Sequence, residues 1–309
     1  MAIITPELVK SLFVSFNKSF QDGLQNAPSE YTKIATVIKS TTASNIYAWL
    51  GQFPQLREWV GKRIIQDMKT DGYAIRNKLY EATVGVARTA IEDDSVSVYA
   101  PIMTEAGRAA GVYPDEHIFA LLSDGHNQIC YDGQNFFDTE HPVAENVDGT
   151  GAITLVSNIL TPEAGDPVSP YPWYLLDTTR ALKPLIFQER IKPDLKPKTN
   201  DDTSDHVFMN DEYLYGIRAR SNVGFGFWQM AVRSTKPLNA ASFQEAYTLL
   251  RNMTADGGRP INIRGNLLVV PPSLAEAARK VVGVATINGG EDNPNYKLAE
   301  ILDTPWLNQ

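Results

Sequence analysis

From Leu8 onward the apolar positions recur at steps of four, Leu8, Leu12, Phe16 and Phe20, while Lys10, Asn17, Lys18 and Gln21 keep the other sides polar. This spacing predicts an amphipathic helix with one strongly apolar stripe. Thr5-Pro6-Glu7 supplies its start, with a capping hydroxyl, a proline in the first turn and an acid beside the helix dipole. The helix is expected to end near Asp22-Gly23, and residues 26–29 read as a linker. Such a helix is either packed on its own core or lent to a neighbouring copy, and the pattern leaves both open.

The period changes to two further along. Tyr80, Ala82, Val84 and Val86 alternate with Glu81, Thr83, Gly85 and Ala87, which predicts a half-solvated ribbon or one that awaits a partner. Thr70-Asp71-Gly72 suits the tip of a hairpin, because glycine takes positive φ without steric cost. After Asp93-Asp94-Ser95, which offers caps, Val98, Met103, Ala106, Ala110, Ile118, Leu121 and Leu122 predict a long helix with a kink or break near Gly111 to Pro114.

Residues 140–172 are rich in Gly, Pro, Asp and Ser and read as mostly loop with one short apolar run. Strands are expected at 173–176 and 182–189, then a polar loop over 192–205. Tyr213, Tyr215, Ile217 and Ala219, followed by Val223, Phe225 and Phe227, predict a long hairpin turning at Ser221-Asn222. The last quarter reads as α/β. It has a helix around Phe243, Tyr247 and Leu250, a buried strand at 266–270, and a second helix opened by Ser273 and Glu276 as a capping box. A strand-like EILDTPWL closes the chain.

Composition narrows the classes. With 309 residues, 43% hydrophobic and 21% charged, the chain can bury a substantial globular core. Its net charge of −8 argues against broad coating of nucleic acid. The basic residues are nonetheless unevenly placed: Arg57, Lys62, Arg63, Lys69, Arg76, Lys78 and Arg88 crowd one arm, which suggests self-complementary contacts between copies. Cys130 is the one cysteine, so no intrachain disulfide framework exists, and a reducing compartment is expected. No signal peptide and no membrane span are expected, since no stretch approaches ~20 apolar residues.

Catalytic signatures are missing. There is no P-loop, no G-x-G-x-x-G, no H-E-x-x-H and no G-x-S-x-G. The four histidines, His117, His126, His141 and His206, never fall at metal-ligand spacing from a second His or from Cys130. Cys130 reads as a buried, inert thiol. Glu92-Asp93-Asp94 and Asp201, Asp202 and Asp205 read as caps and solvated loop before they read as metal ligands. No catalytic residue, cofactor or metal is therefore expected.

The string YDGQNFFDTEHP over 131–142 is ordered by aromatic burial. Together with REWVGKR, NKLYEATVGVARTAIEDD, LLVVPPSLAEAARKV and the closing TPWL, it resembles the major head (capsid) proteins of Mu-like transposable phages and prophages, over nearly the whole chain. The resemblance implies an α+β, Hong Kong 97-type capsid fold. Residues 1–30 would be the N-terminal arm, 57–91 an extended hairpin called the E-loop, and 31–56 with 92–140 a P-domain with a spine helix. Residues 238–309 would be the A-domain core. Residues 141–237, with the 213–233 hairpin, would be either P-domain strands in a permuted connection or an elaboration of the A-domain.

The same resemblance implies a protein that assembles with itself into hexamers and pentamers of an icosahedral shell around double-stranded DNA, in a host bacterial cytoplasm. It would be assisted by a separate scaffold and a maturation protease, joined to a portal, and open to a decoration protein. The basic arm residues named above, with Leu12, Phe16 and Phe20, would carry contacts between subunits. Two rivals stand beside this reading: a cellular nanocompartment shell of the same fold, and a metal-dependent enzyme using the carboxylate clusters.

Overall fold

The structure is a computed structural model that describes residues 5–50, 72–93, 98–200, 204–287 and 289–307. Helix α1 (Pro6–Gln25) starts as the sequence predicts, with Pro6 in its first turn and the Thr5 hydroxyl accepting the Leu8 N–H at 3.2 Å. A single turn, α2 (Tyr31–Ile34), leads into β1 (Ala35–Lys39) and β2 (Ser44–Tyr47). The description resumes with β3 (Tyr73–Arg76), β4 (Lys78–Ala87) and the short α3 (Arg88–Glu92). Helix α4 (Tyr99–Ser123) follows. It contains Pro114 and runs through it as one helix, so, of the kink or break expected near Gly111 to Pro114, the break does not occur. The proline forfeits one hydrogen bond. Helix α1 packs along the first half of α4, and the Pro305–Leu307 turn also packs against it.

Two strands, β5 (His141–Ala144) and β6 (Ile153–Val156), pair as a hairpin where loop was expected, followed by β7 (Ile159–Leu160). Then come β8 (Trp173–Leu176), β9 (Leu185–Lys198), α5 (Asp205–Asn210), β10 (Glu212–Phe225) and β11 (Ala231–Ser234). The last part holds α6 (Ala240–Arg251), the ribbon of β12 (Thr254–Ala255) and β13 (Arg259–Pro260), β14 (Leu267–Val270) and α7 (Ala275–Ala278). A second ribbon, β15 (Thr286–Ile287) with β16 (Glu291–Asp292), precedes β17 (Glu300–Asp303).

Two sheets organise these elements. One is long and four-stranded in the order β1-β9-β10-β4, with β9, β10 and β4 antiparallel and β1 parallel to β9. The other is mixed, in the order β17-β14-β8-β11-β7. Its central strands β8 and β14 are buried at every position, which explains their unbroken apolar runs WYLL and LLVV.

Three expectations about this region are corrected. The hairpin does not turn at Ser221-Asn222: β10 is one strand across both residues, and its hairpin partner is β9. Ser221 is fully buried and within 3.0 Å of the Tyr113 hydroxyl, so tertiary burial overrides a local turn signal. The 192–205 loop is correspondingly shorter, since β9 continues to Lys198. Ser273 caps no helix, because Pro272–Leu274 forms a 3-10 turn and Glu276 pairs instead with Lys280 at 2.6 Å.

Burial divides the interior into two clusters. The larger gathers the five-stranded sheet, α6, the second half of α4 and the aromatic string Phe136-Phe137. The smaller joins Phe16 and Phe20 of α1 to Met103 of α4, Val86 of β4, Leu195 of β9 and Tyr213, Tyr215 and Ile217 of β10. Helix α4 contributes to both, with Met103 in one and Ile118, Phe119 and Leu122 in the other, and so do β9, through Leu195 and Phe187, and β10, through Tyr215 and Phe225.

Candidate functional site

The N-terminal helix lies on its own chain. It runs alongside α4 in the same direction, Phe20 beside Gly107 and Leu24 beside Gly111. A Cβ at Gly107 would overlap the Phe20 carbonyl oxygen, and one at Gly23 would overlap the Thr104 carbonyl. Only glycine permits backbones this close. Phe16 meets Tyr215 edge-on at 5.1 Å, and Phe16 and Phe20 are at most 1% exposed. These two residues are therefore enclosed by their own subunit, not held out for a neighbour, while Leu12 is half-buried. The linker after the helix is tied by Asp115 of α4. Its carboxylate accepts the Tyr31 N–H at 2.6 Å, the Glu30 N–H at 3.0 Å and the Ser29 hydroxyl at 3.1 Å. Burial pushes the Asp115 carboxyl up, against the lowering effect of those three donors.

The basic arm divides differently. Arg57, Lys62, Arg63 and Lys69 lie outside the described residues. Arg76 and Lys78 are exposed, whereas Arg88 is half-buried and lies 3.6 Å from Glu92 and 3.9 Å from Asp211 at the surface. The expected hairpin over 57–91 is also redrawn. The alternating ribbon from Tyr80 belongs to β4 and finds its partner in β10, Tyr80 opposite Ala219 and Val86 opposite Tyr213. Residues 51–71 lie outside the described residues, and the strands at the root of that segment, β2 and β3, pair with Ser44 opposite Arg76 and Tyr47 opposite Tyr73.

This root is fastened by a buried polar network. Gln188 of β9 accepts from the Tyr47 hydroxyl at 2.7 Å and donates to the Ile75 carbonyl at 3.0 Å and to Asn77 Oδ1 at 2.9 Å. Asn77 donates in turn to Ser40 Oγ at 3.0 Å and the Thr42 carbonyl at 2.9 Å, and Ser40 donates to Asn45 Oδ1 at 2.8 Å. The Tyr73 hydroxyl accepts the Phe225 N–H at 3.2 Å, and Gly224 leaves room for the Ile75 side chain. Every bonded member fixes another, which rigidifies the pair of β2 and β3 against β9. The sequence reading missed this network, because Gln188, Asn77 and Tyr47 are scattered and carry no motif.

Exposed apolar side chains mark further surfaces. Phe208 and Met209 of α5, between β9 and β10, are 74% and 77% exposed. Ile153 and Leu155 on β6, Val98 and Ile102 at the start of α4, and Val14 on the outer side of α1 are also exposed. Phe208 and Met209, adjacent on α5 and both strongly exposed, suit contact with another protein. The signal in the sequence is the V-F-M run inside an otherwise polar stretch.

Glu92 is paired with Arg88, and Asp94, Asp201 and Asp202 lie outside the described residues. One cluster that spacing did not suggest does form. Cys130 donates to Asp132 Oδ1 at 3.0 Å, and His141 Nδ1 lies 2.7 Å from Asp132 Oδ2. Burial raises the Cys130 thiol far above its ordinary value, reinforced by the Asp132 carboxylate. Burial would also raise Asp132, but hydrogen bonds from His141 and Cys130 hold it below the usual carboxylate range. No helix among the described residues is long and apolar enough to cross a membrane.

Comparison with known proteins agrees with this architecture. The chain is 51% identical to the major capsid protein of Escherichia phage Mu over 280 residues, covering 91% of this chain and 90% of that protein. It is also 51% identical to the Mu-like prophage FluMu major head subunit of Haemophilus influenzae over 282 residues, 91% of each. Among solved structures it matches a subunit of the bacteriophage JBD30 procapsid with a TM-score of 0.87 and 59% identity, covering 98% of this chain and 100% of that one. A subunit of the JBD30 capsid matches with a TM-score of 0.74 and 46% identity, covering 99% and 100%. The family model for the Mu-like prophage major head subunit gpT aligns with residues 9–307, and the chain belongs to that family of phage capsid proteins.

Proposed function

We propose that this capsid protein builds its shell from hexamers and pentamers through the segment rooted at Tyr47 and Tyr73, laid as a clamp across an acidic neighbouring subunit. The observation that carries the reading is the Gln188 network at that root, with the basic residues Arg57, Lys62, Arg63 and Lys69 on the segment and exposed Arg76 and Lys78 at its base. Charge complementarity of this kind sets register and approach more than affinity. Weak contacts suffice, because closure of a symmetric shell multiplies them. In Hong Kong 97 terms, α1 corresponds to the arm, residues 48–72 to the E-loop, and α4 with the four-stranded sheet to the P-domain. The five-stranded sheet with α6 corresponds to the A-domain. Contact of Tyr113 on α4 with Ser221 on β10 supports a permuted P-domain strand order over an A-domain insertion.

Assembly around double-stranded DNA in the host cytoplasm, with a separate scaffold, a maturation protease and a portal, belongs to the same proposal. So does a decoration partner, in line with a JBD30 capsid described as carrying minor capsid protein trimers. The better match to the procapsid subunit than to the capsid subunit supports a shape change between two shell states. Negative-stain electron microscopy of the purified protein, alone and co-expressed with its genomic neighbours, tests the reading. Closed shells, or rings of five and six, are expected. A uniform monomer or dimer under both conditions would overturn it.

A further inference from the structure

We propose that Cys130, Asp132 and His141 form a binding site for one thiophilic divalent cation, with zinc the best match. The thiol sulfur, a carboxylate oxygen and a ring nitrogen lie within 4.8 Å of one another. Tetrahedral zinc bonded at ~2.0–2.3 Å holds such donors roughly 3.3–3.8 Å apart, so small side-chain adjustments bring the three donors to bonding positions. Sulfur, imidazole and carboxylate together are the donor set that selects zinc over calcium or magnesium.

The scaffold holds the donors in place. Cys130 and Asp132 sit on a tight turn in which the Cys130 N–H donates to the Gln134 carbonyl at 2.8 Å and the Gln134 N–H donates to Asp132 Oδ1 at 3.1 Å. His141 opens β5, and its ring stacks on Trp228 at 3.9 Å with an interplanar angle of 6°. The opposite ring nitrogen, Nε2, is buried without a hydrogen-bond partner, so the imidazole is positioned by this stacking and by its Nδ1 contact with Asp132. Access comes over the turn, where Gly133 adopts φ 90° with open space around it.

Charge also balances. A dication held by one thiolate, one carboxylate and a neutral imidazole leaves no net charge in a largely buried place. The thiol proton leaves to solvent, the imidazole coordinates through Nδ1 as its Nε2–H tautomer, and water completes the shell. This inference does not rest on the assembly reading and can fail without it.

The test is dialysis of the purified full-length protein against zinc and then metal-free buffer, with elemental analysis, and a parallel titration with cobalt. Roughly one retained zinc per subunit is expected. Both Cys130→Ala and Asp132→Asn should weaken retention by about tenfold or more. Cys130 is the one cysteine of the chain, so a near-ultraviolet thiolate-to-cobalt band in the unmodified protein reports this site even if a variant fails to fold. No retained zinc, equal retention by the variants, or bound cobalt without that band would each overturn the proposal.

Discussion

Gly107 on α4 sits directly beneath the carbonyl of Phe20 on α1, and Gly23 faces the Thr104 carbonyl in the same way. The two helices are thereby held closer than any side chain at these positions would allow. Gly107→Ala should therefore destabilise the subunit by about 1–3 kcal/mol through overpacking, outweighing a helix-propensity gain of about 1 kcal/mol. It should also expose α1 to limited proteolysis. A variant that melts higher than the parent would show that the close approach does not hold the arm.

The enclosure of Phe16 separates a structural arm from an exchanged one. Phe16→Ala should cost the unassembled subunit about 3–5 kcal/mol in denaturant unfolding, as for a fully buried aromatic. Leu12→Ala, at a half-buried position, should cost clearly less. If Phe16→Ala left subunit stability unchanged and blocked shell formation alone, the arm would belong to a neighbour.

Gln188 fixes the root of the basic segment. Gln188→Met preserves volume but strips partners from the Tyr47 hydroxyl, the Ile75 carbonyl and Asn77 Oδ1. A loss of about 3 kcal/mol is expected. Amide exchange of Ser44–Tyr47 and Tyr73–Arg76 should accelerate before that of β8, and uniform acceleration would argue against a local fastening.

Asp132 gives the stability a defined acid limb. Its carboxyl is held below the usual carboxylate range in the folded chain, so the folded state binds fewer protons than the unfolded one in that range. Its contribution is present above the unfolded value and is lost as pH falls through the depressed folded value. Urea midpoints should thus separate parent from Asp132→Asn at neutral pH and draw together in strong acid. A gap that persists unchanged to the lowest pH would refute the linkage.

The clamp predicts a division between folding and assembly. Arg76→Glu with Lys78→Glu, both at exposed positions, should leave unfolding within about 0.5 kcal/mol of the parent and prevent closed shells in electron micrographs. Deleting 69–73 is a harsher change, because Tyr73 pairs with Tyr47 and its hydroxyl accepts the Phe225 N–H. Normal shells from the double charge reversal would remove the clamp.

Local pattern determined much of this protein. The cap and stripe of α1, the ribbon of β4, the apolar runs of β8 and β14 and the stripe of α6 each follow from a short-range period matched to one buried face. The family strings likewise stood in the sequence, since they are contiguous. Only the tertiary structure decided the pairings. Ser221-Asn222 has the composition of a turn, yet pairing with Glu189 and Gln188 carries β10 on as one strand past a register shift at Arg220. Tyr80 to Val86 has the alternation of an outward hairpin, yet β10 claims it. Gln188 with Tyr47, and Cys130 with His141, meet across separations that no local spacing encodes. Periodicity reports which face of an element is buried, whereas the burying partner is chosen by packing among segments distant in the chain.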